Sequence, residues 1–217
     1  MDILTLGPES ARRAVLFATG AGGDPRRYLP LLERLSAAGC RVIAPHFEQF
    51  RVSGAPSGSE LLARPLGLVD ALAGHADSGA EVVAIGHSIG AWATLCLAGA
   101  VSRGPDGRPL RTPREPRIRR AVLYTPAAGW FTAPGALDEL TIPLLVYAGG
   151  RDTVTPPEQA LHLRAAPADV EVRVLPEAGH FTFMHDPPPG LAEEPPPVRE
   201  QLLDGIVEAT VQFTTTS

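Results

Sequence analysis

Lysine is missing from this chain. All 19 of its basic side chains are arginines, and 24 carboxylates outnumber them, for a formal net charge of −5 at pH 7. Beside 23 prolines and abundant alanine, the missing lysine reads as a coding bias rather than as chemistry. The missing positive excess does carry meaning. Without a global basic field, neither nucleic acid nor an anionic membrane is expected as a partner through bulk electrostatics, and small molecules are the expected partners. Cysteine is scarce: Cys40 and Cys96 are too few for a disulfide framework, and neither sits in a C-x-x-C spacing. The reducing cytoplasm is the natural compartment. His46, His75 and His162 make no metal-ligand spacing, so no metal is expected. Long apolar runs are absent as well. The longest mainly apolar stretch, Ala91 to Val101, is far short of a bilayer span. The start, Met1-Asp2-Ile3-Leu4-Thr5-Leu6-Gly7-Pro8, has neither a basic region nor a sustained apolar one, so no secretory signal is expected.

What remains has the balance of a soluble globular protein, 44% hydrophobic and 20% charged, and neither a disordered nor a collagen-like composition fits it. Without an internal repeat or a second core-sized segment, residues 1–217 are expected to form one domain. Short aliphatic runs alternate with helix-like segments. The runs are Ala14–Phe17, Arg41–Ala44, Glu81–Ile85, Arg120–Tyr124, Pro143–Tyr147 and Val170–Leu175, each followed by a turn signal. Nearly continuous apolar runs suit strands buried on both faces, which crossover helices produce. Tyr28–Leu35, Leu61–Leu72, Gly90–Ala100, Glu158–Ala165 and Val198–Phe213 supply the helical spacing. Thr155-Pro156-Pro157 reads as a cap followed by first-turn prolines. The expected fold is α/β, a mostly parallel central sheet flanked by helices.

Val82-Val83-Ala84-Ile85-Gly86-His87-Ser88-Ile89-Gly90-Ala91 is an apolar strand, then G-x-S-x-G, then an alanine-rich helix. That context makes the pentapeptide a nucleophile elbow, a strained turn that lifts the Ser88 hydroxyl above the sheet edge. A serine hydroxyl is a weak nucleophile, so the reading demands a histidine base and an orienting carboxylate, in chain order Ser, Asp, His. Asp152 follows the run ending at Tyr147, and His180 follows the run ending at Leu175. In a parallel sheet these carboxyl ends share one rim, where open α/β folds bind ligands. The Ile89 amide, just past the nucleophile, would face a developing oxyanion. His185 competes with His180, and Asp138 and Asp186 compete with Asp152. His180 and Asp152 are preferred for their places directly after strands. His87 reads as structural support and Cys96 as a small buried hydrophobe.

On Gly86-His87-Ser88-Ile89-Gly90, Gly150-Arg151-Asp152-Thr153-Val154-Thr155-Pro156 and Ala178-Gly179-His180-Phe181, the chain resembles the α/β-hydrolase superfamily, in its dienelactone-hydrolase-like branch. The resemblance runs from about Ala14 to the last helix. It implies Ser88 as nucleophile, His180 as general base and then acid, and Asp152 as the orienting carboxylate. It also implies a second oxyanion donor in Thr19-Gly20-Ala21-Gly22-Gly23, assigned to the Ala21 amide. Thr19 stands where the family often carries histidine. Dienelactone hydrolases proper use a cysteine nucleophile, so Ser88 points away from that reaction and toward ordinary ester hydrolysis.

The superfamily often inserts a cap after the run ending at Tyr124, but only Thr125 to Thr141 separates it from the next strand, so a minimal cap is expected. Phe47, Trp130, Phe131, Phe181 and Met184 are the candidate walls of an apolar acyl or alcohol pocket. The loop Phe47–Ser59, rich in Gly, Pro and Ser, is a candidate lid. Ser102–Arg120 carries seven arginines among prolines and glycines and reads as a solvated loop, although an arginine cluster near the pocket would favour carboxylate-bearing substrates. The expected function is that of a serine carboxylesterase on small or accessible esters, with no cofactor. The alternatives are a thioesterase with the same three residues and a non-catalytic scaffold of this fold.

Overall fold

A computed structural model describes residues 1–49, 56–191 and 195–216. Seven strands form one sheet in the order β1-β3-β2-β4-β5-β6-β7: β1 (Ile3–Leu6), β2 (Arg13–Ala18), β3 (Arg41–Pro45), β4 (Glu81–His87), β5 (Ile118–Tyr124), β6 (Leu144–Gly149) and β7 (Val170–Leu175). All pairs are parallel except β1 with β3, which is antiparallel. Strands β2 to β7 fall on the six runs expected from the sequence. β1 was not expected. Its four residues are half-buried and too few to show a period, and they form a strand because the β3 edge offers them a ladder.

The helices α1 (Leu29–Ala37), α2 (Gly58–His75), α3 (Ile89–Leu97), α4 (Pro157–His162) and α5 (Pro196–Thr215) also follow the expected segments. Alternation along the strands divides the interior in two. Ala14, Leu16 and Ala18 of β2 face one apolar cluster together with Trp92 of α3 and Leu68 of α2. Val15 and Phe17 face the other, with Leu32 of α1 and Ile206 of α5. Both faces of the sheet are therefore covered, which is why the strands read as unbroken apolar runs. α3 is buried along its whole length, so it shows no polar face.

The sheet order places the site. From β2 the chain moves to one side, to β3, and then returns past β2 to β4. The connections after β2 and β4 therefore diverge to opposite faces, toward α1 and α3, and leave a crevice at their carboxyl ends. The loop Thr19–Gly23 and Ser88 border that crevice. From β5 to β6 the chain makes only a short 3₁₀ turn, Ala128–Phe131, the minimal cap that was expected. The central part of the candidate lid, residues 50–55, lies outside the described residues.

Candidate active site

Ser88 occupies the sharp turn between β4 and α3 with φ 55° and ψ −120°, a region that side chains rarely adopt and that costs on the order of 1–3 kcal/mol. The flanking glycines make the turn possible. A Cβ on Gly90 would stand 2.1 Å from the Ala18 carbonyl oxygen, and one on Gly86 would stand 2.5 Å from the Ala91 Cα. The Ser88 amide donates to Tyr124 O at 2.9 Å, and its carbonyl accepts from Trp92 and Ala127. Ile89, the first residue of α3, has an amide with no intrahelical acceptor.

The three strand-end residues meet. His180 Nε2 lies 3.0 Å from Ser88 Oγ, and His180 Nδ1 lies 2.8 Å from Asp152 Oδ2. Asp152 and His180 are 4% and 5% exposed. Asp152 Oδ1 accepts the backbone N–H groups of Val154 and Thr155, each at 2.8 Å. Burial pushes this carboxyl up, but hydrogen bonds from His180 and from the Thr155 amide and hydroxyl outweigh burial and hold it below the ordinary carboxylate range. An ionised carboxylate only accepts, so His180 carries its proton on Nδ1, and Nε2 is left to accept the Ser88 hydroxyl. Thr155, expected to cap α4, serves Asp152 instead. Its hydroxyl lies 2.8 Å from Asp152 Oδ2 and 3.0 Å from Thr125 O, while the residue before α4 is Pro156.

His87 joins two loops. Its Nε2 lies 3.0 Å from the His180 carbonyl oxygen and its Nδ1 lies 2.8 Å from the Tyr28 hydroxyl. The carbonyl can only accept, so Nε2 donates to it and the Tyr28 hydroxyl donates to Nδ1. Burial, followed by the neighbouring His180, pushes His87 down to about 3, so it stays neutral. It is structural support, as expected. Its partner Tyr28 was read only as part of a helix face, because nothing local reveals a bond made 59 residues away.

A cavity of about 180 Å³ opens beside Ser88, lined among others by Gly20, Ala21, Tyr28, Val154, Phe181 and Met184. Of the expected wall residues, Phe181 and Met184 line it; Phe47, Trp130 and Phe131 do not. Phe47 lies beneath the Arg64 guanidinium, 5.1 Å from it, and its amide donates to Gly23 O. Trp130 is half-buried against the α3 side of the core, and Phe131 is fully buried there. The short connection after β5 packs down on that face instead of rising over the sheet edge. Asp138 and Asp186 are exposed, and Asp186 pairs with Arg27 at 3.4 Å. His185 lines a separate cleft with Glu33, Arg34 and Asp204. No arginine of Ser102–Arg120 lines the Ser88 cavity. Arg114 and Arg117 pair with Glu139 and Glu115, and Arg111 and Arg114 border a cleft near the far end of α3. A larger open cleft of about 760 Å³ lies at the opposite, amino-end edge of the sheet, lined by Ser10, Arg12, Arg13, Cys40, Asp77 and Glu81 among others, and it includes none of Ser88, Asp152 and His180. Among the described residues no group of His, Cys, Asp and Glu is arranged to hold a metal ion, and no helix is long and apolar enough to cross a membrane.

No family model and no curated protein matches the chain. Solved structures do. The monoacylglycerol lipase of Paleococcus ferrophilus superposes with a TM-score of 0.65 at 18% identity, over 97% of this chain and 98% of that one. Esterase 2 of Thermogutta terrifontis with propionate bound gives 0.64 at 18%, over 96% and 89%. The chain has the α/β-hydrolase fold. At these identities the likeness reaches the fold and does not reach the dienelactone-hydrolase-like branch specifically. Within the α/β-hydrolase fold, the turn after β4 and the loops after β6 and β7 bring Ser88, Asp152 and His180 together.

Proposed function

We propose that this chain is a one-domain serine hydrolase that cleaves small carboxylic esters. The observation that carries the reading is the continuous hydrogen-bonded series Ser88–His180–Asp152 at the rim of an apolar cavity. Ser88 attacks the ester carbonyl while His180 Nε2 takes its proton, and Asp152 stabilises the imidazolium that forms. The negative charge that develops on the carbonyl oxygen falls to the Ile89 and Ala21 amides. His180 returns the proton to the departing alcohol, and water then hydrolyses the acyl-enzyme by the same steps in reverse. No step calls for a cofactor.

The cavity supports short acyl groups. At about 180 Å³ it is well below the volume of typical drug-sized sites, roughly 300–1,000 Å³. Esterase 2 of T. terrifontis, which shares the fold, has been solved with propionate and with butyrate bound, acids of the size this cavity suits. The arginines of Ser102–Arg120, which would give a coenzyme A thioester a site for its phosphates, do not line the cavity, so the ester reading is preferred. A cytoplasmic setting is supported by the two buried, unpaired thiols of Cys40 and Cys96.

The test is hydrolysis of a p-nitrophenyl ester series from acetyl upward by the wild type and Ser88→Ala. We expect an optimum at or below butyryl and a loss of about 10³-fold or more in kcat/KM in the variant. Undiminished turnover in Ser88→Ala would remove the nucleophile assignment. A wild type that neither turns over esters nor labels with a fluorophosphonate would point to the non-catalytic alternative.

A further inference from the structure

The Thr19–Gly23 loop is held from behind by a buried cation. Arg64 on α2 is 2% exposed. Its Nη1 donates to two consecutive loop carbonyls, Thr19 O at 3.1 Å and Gly20 O at 3.2 Å. The Gly23 amide donates to the same Gly20 oxygen at 3.1 Å. The Gly20 oxygen is thus held by two donors. Peptide planarity carries the constraint onward, because the Gly20 carbonyl and the Ala21 N–H belong to one trans unit and point in opposite directions. An oxygen drawn toward Arg64 turns the Ala21 N–H away from Arg64. Ala21 lines the Ser88 cavity, whereas Arg64 does not.

A five-residue loop with three glycines has little preference of its own for one peptide orientation. Charge-assisted hydrogen bonds are strong enough to select one. Thr19 does not perform this role: its hydroxyl is buried with no hydrogen-bond partner among the described residues, at the position where the superfamily often carries histidine. Burial also has a cost, since desolvation pulls Arg64 down to about 10, and a guanidinium is not placed there by packing alone.

We propose that Arg64 is a positioning residue that presets the oxyanion hole, gripping the Thr19 and Gly20 carbonyls so that the Ala21 N–H faces the charge developing on the substrate. The proposal rests on the serine-hydrolase reading and deepens it. Its test compares wild type, Arg64→Met and Arg64→Lys on a short p-nitrophenyl ester, with kcat expressed per site titrated by a fluorophosphonate. Inhibition by an alkyl trifluoromethyl ketone, which forms a tetrahedral oxyanion adduct with the serine, is measured in parallel. In Arg64→Met, kcat per site falls about 10- to 100-fold, KM stays within about twofold, and ketone affinity falls with kcat/KM. Arg64→Lys, which retains a donor, falls less.

Wild-type kcat per site and wild-type ketone affinity in Arg64→Met would overturn the proposal. So would a loss confined to the number of titratable sites, the mark of a purely structural role. If Arg64→Met is not soluble, Arg64→Lys decides. Its shorter ammonium cannot reproduce both contacts, so wild-type kcat and ketone affinity in that variant overturn the proposal. A wild type that neither turns over nor labels overturns the serine-hydrolase reading, and the positioning role with it.

Discussion

Asp152 shows how much one side chain's hydrogen bonds decide. Its Oδ1 accepts two backbone N–H groups while Oδ2 faces His180 Nδ1. In Asp152→Asn the amide oxygen must stay with the two donors, because an NH₂ group there would oppose both. The new Nδ2 then donates to His180 Nδ1, which moves the ring proton to Nε2, the atom facing Ser88. An imidazole in that tautomer cannot accept the serine proton. We expect kcat to fall about 10³–10⁴-fold, with KM and the thermal midpoint close to wild type, as measured by steady-state kinetics and calorimetry. A loss of under about tenfold would mean that His180 does not act as the base. At this scale Ser88, Asp152 and His180 were legible because each sits in a local motif directly after a strand. Tyr28, Thr155 and Arg64 were not. Arg64 meets Thr19 across 45 residues, and an arginine within a helical segment carries no mark of the loop it will reach.

At the scale of elements, the junction of β2, β4 and α3 is the tightest place near the site. Ala ordinarily improves on Gly in a helix by about 1 kcal/mol, so helix propensity alone favours Gly90→Ala. A Cβ at 2.1 Å from Ala18 O and 2.4 Å from Thr19 O reverses the sign, because both neighbours are backbone and cannot rotate aside. We expect Gly90→Ala to destabilise by about 3 kcal/mol or more, read as a lower urea midpoint or loss of soluble protein. A stable, active variant would show that β2 and α3 can separate without cost. The six parallel strands and five helices were readable from apolar runs and turn signals, since burial on both faces writes itself into composition. β1 and the role of Thr155 were not readable. The first depends on an open edge of β3, and the second on a carboxylate that turns back toward the threonine after β6.

For the whole molecule, the buried neutral His87 links stability to pH. In the unfolded chain an ordinary histidine takes up its proton near 6.5, whereas His87 resists protonation until about pH 3. Its contribution is therefore complete above about 6.5 and is lost as pH falls, at about 1.4 kcal/mol per pH unit. Asp152, held below its ordinary value, acts in a separate window: its contribution is lost only below about 3.8. Unfolding free energies from urea titrations at pH 7, 6 and 5 should decline accordingly. His87→Gln, which can keep both hydrogen bonds, should flatten that decline by about one proton, and an unchanged slope would place the proton uptake elsewhere. Sequence by itself determined the alternation of buried strands and helices and the three motifs at strand ends, because apolar burial and the glycines of a tight turn are demands each residue meets locally. It also determined the strain at Ser88, through Gly86 and Gly90. Only the tertiary structure decided which aromatic side chains face the cavity and which return to the core, and it alone set Tyr28 on His87 and Arg64 behind the Thr19–Gly23 loop. Those relations are made when distant segments meet across a twisted sheet, and the direction in which a side chain leaves a loop is settled by the neighbours it finds there.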